Sequence, residues 1–168
     1  MKKKLFVLIV AALVLVPFIV GPATAKTLKV GTMSPLTGPY AADGNDIANG
    51  VRAAVAVMEA EGGIPGFDKI EVVAQDTACD PRQAVAAANK LINEEVVGVI
   101  GAYCSSSTIP ASEALAEEDI PMITPASTNE KVTERGLPYM FRMCGRDDDQ
   151  SKIAGAFIKD YLNAKTVY

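Results

Sequence analysis

The sequence predicts an α/β fold in which a doubly wound parallel sheet carries helices on both faces. Short apolar runs of strand length alternate with longer segments whose apolar residues recur every three or four positions. Such alternation is typical of parallel sheets, because each right-handed crossover places a helix against the sheet. The predicted strands are residues 27–33, 69–75, 96–100 and 121–124, with a short extended segment at 140–143 and the start of a last strand at 165–168.

The first two predicted helices have clear boundaries. Residues 45–61 follow a Gly- and Pro-rich loop and end at a Gly-Gly pair. The apolar positions on one face of this helix are Ile47, Val51, Val55 and Met58. The second helix begins after Asp80, with Pro81 in its first position and Gln83 placed to reach back to the cap, and it runs to about residue 94.

The later helices are shorter. The serines after Cys104 and Pro110 open a third helix that reaches about residue 117. Ser127 and Glu130 have the spacing of a capping box over a short helix that ends near Gly136. A final helical stripe consists of Ile153, Ala154, Phe157, Ile158 and Tyr161.

The N-terminal segment has the pattern of a secretory signal peptide. Three lysines precede an apolar run at residues 5–20, and the small-residue sequence Ala23-Thr24-Ala25 follows. A membrane anchor is disfavoured because a helix needs about 20 apolar residues to span the hydrocarbon core. We therefore expect residues 1–25 to be removed and the remaining chain to be periplasmic, without direct membrane insertion.

Composition excludes several classes of partner and site. Removing the three leader lysines from 16 basic residues leaves 13 against 20 acidic ones, a net charge of −7. An acidic chain is a poor match for nucleic acid. With no histidine and no CxxC pair, we expect no metal and no cofactor. Export permits a disulfide, and the odd number of cysteines, Cys79, Cys104 and Cys144, leaves one thiol over.

Two loops are candidate binding elements. Ligands of doubly wound sheets bind beyond the carboxyl ends of the strands, where the strand order reverses. There the loop 102–108 carries a run of hydroxyl residues, Ser105 and Ser106 first, straight into a helix start, whose free N–H groups favour a carboxylate or phosphate. The loop 125–129 repeats the combination with Ala126, Ser127 and Thr128. Plain N-capping is the alternative, although one hydroxyl would suffice for it.

Catalysis is not expected. A serine nucleophile needs a nearby base, usually histidine, and the chain has none. Neither a GxxxxGK[ST] loop nor a GxGxxG pattern is present. The acidic run Asp147-Asp148-Asp149 is interpreted as a solvated helix start rather than a metal site.

Five stretches resemble the leucine/isoleucine/valine-binding proteins, the type I periplasmic solute receptors of ABC importers. They read GPYAADGNDIANGVRAAV, GGI, DTACDPRQAVAAANKLI, VIGAYCSSSTIPAS and MITPASTNEKVTERG. The resemblance implies a periplasmic-binding-protein-like type I fold of two α/β lobes that close on an amino acid, of which residues 26–168 would be the first lobe. The strand-like end of the chain agrees with an absent second lobe, and a complete five-stranded domain is the alternative.

The resemblance also implies roles for single residues. Ser105 and Thr128 would hold the ligand carboxylate, the carbonyl of Ala126 would accept from the ligand ammonium, and Cys79 and Cys104 would form a disulfide. Two positions depart from the pattern, since Tyr103 stands where an aliphatic side chain lines the pocket and Asp43 where an aromatic wall residue is common. Tyr40 lies three residues before Asp43 and could substitute for that wall.

The function expected from the sequence is an extracytoplasmic solute receptor that binds a branched-chain or related small amino acid and delivers it to the membrane permease of an ABC importer. The alternative is a regulatory receptor of the same fold that senses an amide or another carboxylate without transport.

Overall fold

A computed structural model describes residues 25–166 of the chain. Its five strands, all parallel, form one sheet in the order β2-β1-β3-β4-β5. The strands are β1 (Thr27–Ser34), β2 (Lys69–Asp76), β3 (Val99–Gly101), β4 (Met122–Thr124) and β5 (Met140–Arg142). The chain runs outward from β1 first to one side and then to the other, which confirms the predicted doubly wound sheet.

The helices lie on both faces, as predicted. They are α1 (Ala41–Ala60), α2 (Pro81–Asn93), α3 (Ser105–Glu117) and α4 (Asp147–Ala156), with a 3₁₀ turn at Glu130–Val132 and a π-helical turn at Phe157–Tyr161. Helices α2 and α3 pack against each other and against one face, where Leu91 and Leu115 join Met33, Val99 and Met122 in the buried core. Their alanine-rich inner surfaces let the helix backbones approach the sheet closely.

Helix α1 covers the other face only in part. Val51 packs over β1 and β2, and it lines an open groove of about 540 Å³ together with Val30 and Ile100. Farther along this face, Phe141 on β5 is 51% exposed. Among the residues described, an apolar strip of the sheet therefore remains uncovered beside α1.

Several predicted boundaries were wrong. Helix α1 begins at Ala41, four residues before the predicted start, because the Gly- and Pro-rich loop closes early through a hydrogen bond from the Ala41 N–H to the Gly38 carbonyl. Asp80 caps α2 as predicted by accepting from the Gln83 N–H at 2.8 Å, but the Gln83 side chain donates to the Asp76 carbonyl instead of reaching back to the cap. Strand β3 begins at Val99, three residues later than predicted.

The predicted capping box at Ser127 was also wrong. The Ser127 hydroxyl points toward the loop after β3, and Asn129 caps the short 3₁₀ turn by accepting from the Lys131 N–H at 3.0 Å. The extended segment near residue 140 is the fifth strand of the sheet. Of the strand expected at 165–168, Lys165 and Thr166 are not part of a strand, and the last two residues lie outside the described part of the chain.

The final helical stripe is helical but uncovered. Ile153, Phe157 and Tyr161 are 71%, 50% and 74% exposed, and α4 has no buried residue. In residues 25–166, no helix is both long enough and apolar enough to cross a membrane. The predicted leader, apart from Ala25, lies outside the described residues.

Candidate ligand-binding site

The candidate site lies at the carboxyl ends of β1, β3 and β4, which are adjacent in the sheet. Between β1 and β3 the direction of winding reverses, and doubly wound sheets bind their ligands in the crevice at such a point. The sequence placed both hydroxyl-bearing loops there, and the structure brings them together. Ser105 and Asn129 make one of the contacts between the loops, at 3.3 Å from the Asn129 N–H to the Ser105 hydroxyl.

The first turn of α3 presents backbone donors. The carbonyl of Cys104 accepts from the N–H groups of both Ser107 and Thr108 at 3.0 Å. Within the described chain, the N–H groups of Ser105 and Ser106 have no acceptor. Ser105 is partly exposed and Ser106 is exposed. The start of α3 therefore retains two free donors and the positive end of a helix dipole.

Buried hydroxyls join the two loops. The Ser127 hydroxyl lies 2.6 Å from that of Thr108 and 3.1 Å from the Tyr103 carbonyl, while Thr124 donates to the Ala102 carbonyl at 2.7 Å. Ser127 is 1% exposed, so its hydroxyl is committed to this network. Ala126 and Thr128, which flank it, are both partly exposed. Since a fully satisfied buried network is rigid, the network fixes the spacing between the loops.

Arg142 supports the second loop, and the sequence reasoning did not identify it. Its guanidinium donates to the carbonyls of Thr128 and Asn129 at 3.2 and 2.8 Å and to the Thr133 hydroxyl at 2.9 Å. Nothing near Arg142 in the sequence marks this role, because its partners belong to the preceding loop and are reached only through the pairing of β4 with β5. Arg142 also places a positive charge behind the loop.

Two tyrosines and an aspartate stand beside the α3 start. The rings of Tyr40 and Tyr103 lie 5.7 Å apart between centroids. The charge of Asp43 raises the pKa of the Tyr103 phenol above its usual value of 10.0, and partial burial adds to the effect. Tyr103 is therefore neutral near pH 7 and keeps its proton as a donor.

The disulfide that the resemblance implies is present. Cys79 and Cys104 are bonded, with Cα atoms 5.5 Å apart, and the bridge ties the end of the β2 strand region to the start of α3. Cys144 is free and half-buried, with its sulfur 3.4 Å from the Ser127 carbonyl.

The acidic run at the start of α4 pairs with Arg146 and Lys152. Across residues 25–166, no cluster of acidic residues and cysteines has the arrangement of a metal site.

Asp76 anchors the loop that leads to Tyr40. One carboxylate oxygen accepts from the N–H groups of Leu36 and Ala78 at 2.8 and 2.9 Å, and the other accepts from the Thr37 hydroxyl at 2.6 Å. Burial alone would raise the pKa of Asp76, but these hydrogen bonds outweigh it and hold the pKa below the usual 3.8. The ionised carboxylate is thus the form that the folded loop stabilises.

We expect Asp76→Asn to lower the free energy of unfolding by about 1–2 kcal/mol at pH 7, because it removes charge-assisted hydrogen bonds. The folded pKa lies below the unfolded one, so this contribution is full above the unfolded pKa and is lost as the pH falls through the folded pKa. Urea denaturation between pH 7 and pH 2.5 should show the two proteins converging in acid. Asp46→Asn, at an exposed position of α1, should have no such effect. A difference that stays constant down to the lowest pH would contradict the assignment.

Known proteins share both sequence and fold with this chain. It is 47% identical to an amino acid binding protein of Pseudomonas aeruginosa over 99% of its own length and 45% of that protein's. It is 42% identical to the Leu/Ile/Val-binding protein of Escherichia coli K12, over 86% of the chain and 39% of that protein. The chain thus spans less than half the length of these relatives.

A solved structure extends the comparison. The branched-chain amino acid transporter substrate binding protein LivJ from Streptococcus pneumoniae, in complex with isoleucine, superposes with a TM-score of 0.76 at 31% identity. The match covers 83% of this chain and 40% of that one. The family of periplasmic binding proteins matches residues 27–168. The chain therefore belongs to the periplasmic binding protein family.

Proposed function

We propose that the chain is the first lobe of an extracytoplasmic solute receptor that binds a branched-chain or related small amino acid for ABC-type import. The observation that carries the proposal is the pair of free N–H groups at Ser105 and Ser106, beside the loop 125–129 that carries Thr128. In this proposal the ligand carboxylate lies between them and also accepts from the hydroxyls of Ser105 and Thr128. The carbonyl of Ala126 accepts from the ammonium group, and Tyr103 lines the pocket.

The electrostatics suit a zwitterion. The start of α3 offers about half a positive charge without a mobile counter-ion, and the Arg142 guanidinium lies behind the second loop. A carboxylate is attracted by both. Because neither α3 nor the loop has to rearrange to form these donors, little of the binding energy is spent on ordering the site.

A second lobe completes the pocket in this proposal. The relatives are more than twice as long as their match to this chain. Ile153, Phe157 and Tyr161 of the last helical segment are exposed and apolar, as expected for a surface that packs against further polypeptide. Closure of two lobes around the ligand would create the shape that a permease recognises. The predicted signal peptide would deliver the protein to the periplasm.

The relatives are named as binding proteins, and a binding role without catalysis fits this site as well. The hydroxyls nearest the crevice have serine, threonine and backbone partners rather than a general base. A regulatory receptor of the same fold remains the second class. Loss of amino-acid uptake on deletion of the gene would favour import, whereas normal uptake with a lost transcriptional response would favour sensing.

The proposal is tested by Ser105→Ala combined with Thr128→Ala in the full-length protein. Removing both hydroxyls should weaken the affinity for the amino acid that binds best by about a hundredfold or more, since each hydrogen bond to a charged group contributes about 1.5–3 kcal/mol. Isothermal titration calorimetry with the twenty amino acids would measure it. Thr27→Ala is the control, because Thr27 is exposed and lies at the amino end of β1, the end away from the site. Unchanged affinity in the double variant would refute the assigned site.

A further inference from the structure

Tyr40, Asp43 and Tyr103 form a polar aromatic wall at the edge of the proposed carboxylate site. The ring centroids of Tyr40 and Tyr103 lie 5.7 Å apart. Because Tyr103 is two residues from Ser105, the Cα atoms of Tyr103 and Ser105 are at most about 7 Å apart. A ligand held by its carboxylate at Ser105 and as small as an amino acid would therefore bring its side chain within reach of this wall.

The wall is rigidly placed. The Ser34 hydroxyl donates to the Gly44 carbonyl at 2.8 Å, and Gly44 itself lies flush against the backbone of Pro35. These contacts fix the first turn of α1, which carries Asp43, against the end of β1. Asp76 holds the preceding loop through Leu36 and Thr37. The backbone that carries Tyr40 and Asp43 thus has little freedom to withdraw from a poorly matched ligand.

Asp43 is an acceptor with spare capacity. In the described part of the chain, no lysine or arginine forms an ion pair with it. It is exposed, and the Tyr103 phenol beside it uses only part of its accepting capacity. A carboxylate that loses water without gaining a donor costs free energy, and a second negative charge nearby costs more. An aliphatic side chain packed against this wall would remove water from Asp43 without supplying a donor. An anionic side chain would place a second negative charge beside it.

We propose that the wall formed by Tyr40, Asp43 and Tyr103 makes the site selective for small amino acids whose side chain donates a hydrogen bond, over aliphatic and anionic ones of the same shape. This inference rests on the proposed function and narrows it. The tyrosine rings supply the flat contact surface, and Asp43 accepts from the donor at the end of the ligand side chain. Exclusion of aliphatic ligands then arises from the Asp43 carboxylate lone pairs that stay without a donor rather than from pocket volume.

Three ligands of nearly equal shape test the proposal: asparagine, leucine and aspartate. Calorimetry on the full-length protein should show asparagine binding at least about tenfold more tightly than leucine, because a site built around a polar partner rejects an analogue that lacks it. Aspartate should bind more weakly than asparagine by a larger factor. If leucine bound as tightly as asparagine, this inference would be overturned. The proposed function would still be supported if the affinity for both ligands fell in the Ser105→Ala and Thr128→Ala double variant.

Two variants separate charge from hydrogen bonding. Asp43→Ala should reduce the preference for asparagine over leucine by about tenfold, whereas Asp43→Asn should keep that preference and lose much of the discrimination against aspartate. Asp46→Ala, one turn later on α1 and exposed, should change neither ratio. Unaltered ligand ratios in Asp43→Ala, with an unchanged melting temperature, would overturn the proposal. Absence of binding by any amino acid would instead refute the proposed function.

Discussion

Replacing Cys79 and Cys104 together by alanine should lower the free energy of unfolding by about 3–4 kcal/mol. The bridge closes a loop of 25 residues, and the chain-entropy model assigns a loop of this size a stabilisation of that order. The bridge also restrains the folded loop. Ala78 and Cys79 have positive φ angles of 45° and 57°, a conformation that non-glycine residues rarely adopt, and the variant must keep it without the bridge. Guanidinium denaturation of the oxidised protein and the variant would measure the difference.

The same change should weaken ligand binding in the full-length protein. Cys104 is the residue immediately before Ser105, and the bridge is the covalent tie between the start of α3 and the neighbouring loop. Without it, the two free N–H groups must be ordered when the ligand binds, and that ordering reduces affinity. Addition of a reductant should shift the wild type toward the variant in both stability and affinity, and it should leave the variant unchanged.

Cys144→Ala is the matched control for the bridge. Cys144 is half-buried, and its sulfur makes only a weak contact of 3.4 Å with the Ser127 carbonyl. Its removal should change the free energy of unfolding by less than about 1 kcal/mol, in line with substitutions away from strong contacts. A variant without the bridge that unfolds at the same denaturant concentration as the wild type would contradict the stabilisation assigned to the bridge.

The order of elements and the edge of the sheet that carries the site could be predicted from the sequence. Periodicity predicts α1, the Asp80-Pro81 start predicts α2, and the ends of parallel strands must meet at one edge of the sheet. Asp80 caps its helix through an interaction between residues three apart, so the local sequence is enough to predict it. Local rules thus sufficed where the partners are close in the chain.

The functions of individual polar groups depended on distant partners and could not be predicted in this way. The spacing of Ser127 and Glu130 fits a capping box, but Ser127 instead bonds Thr108, 19 residues earlier. Arg142 reaches the carbonyls of a loop 13 and 14 residues before it. Such contacts depend on which strands are neighbours and in what register they pair. The local sequence preferences of a serine or threonine are the same whether its hydroxyl faces a ligand or another hydroxyl.

Gly44→Ala should lower the free energy of unfolding by about 3 kcal/mol or more, although alanine favours a helix over glycine by about 1 kcal/mol. A Cβ atom at residue 44 would lie 1.9 Å from the carbonyl oxygen of Pro35. Since that atom belongs to the backbone, no side-chain rotation relieves the collision, and the start of α1 must move away from β1. Thermal and urea denaturation would measure the loss.

Gly50→Ala distinguishes this steric effect from helix propensity, because Gly50 lies in the same helix and a Cβ atom there meets nothing within 4 Å. It should be neutral or should raise the free energy of unfolding by up to about 1 kcal/mol, so the two substitutions are expected to have opposite signs. If both substitutions stabilised the protein, α1 would not approach Pro35 as closely as described, and the position of Asp43 would not be fixed by that contact. If the signs differ, the first turn of α1 is set by backbone contact, which is the condition for a wall that selects ligands without yielding to them.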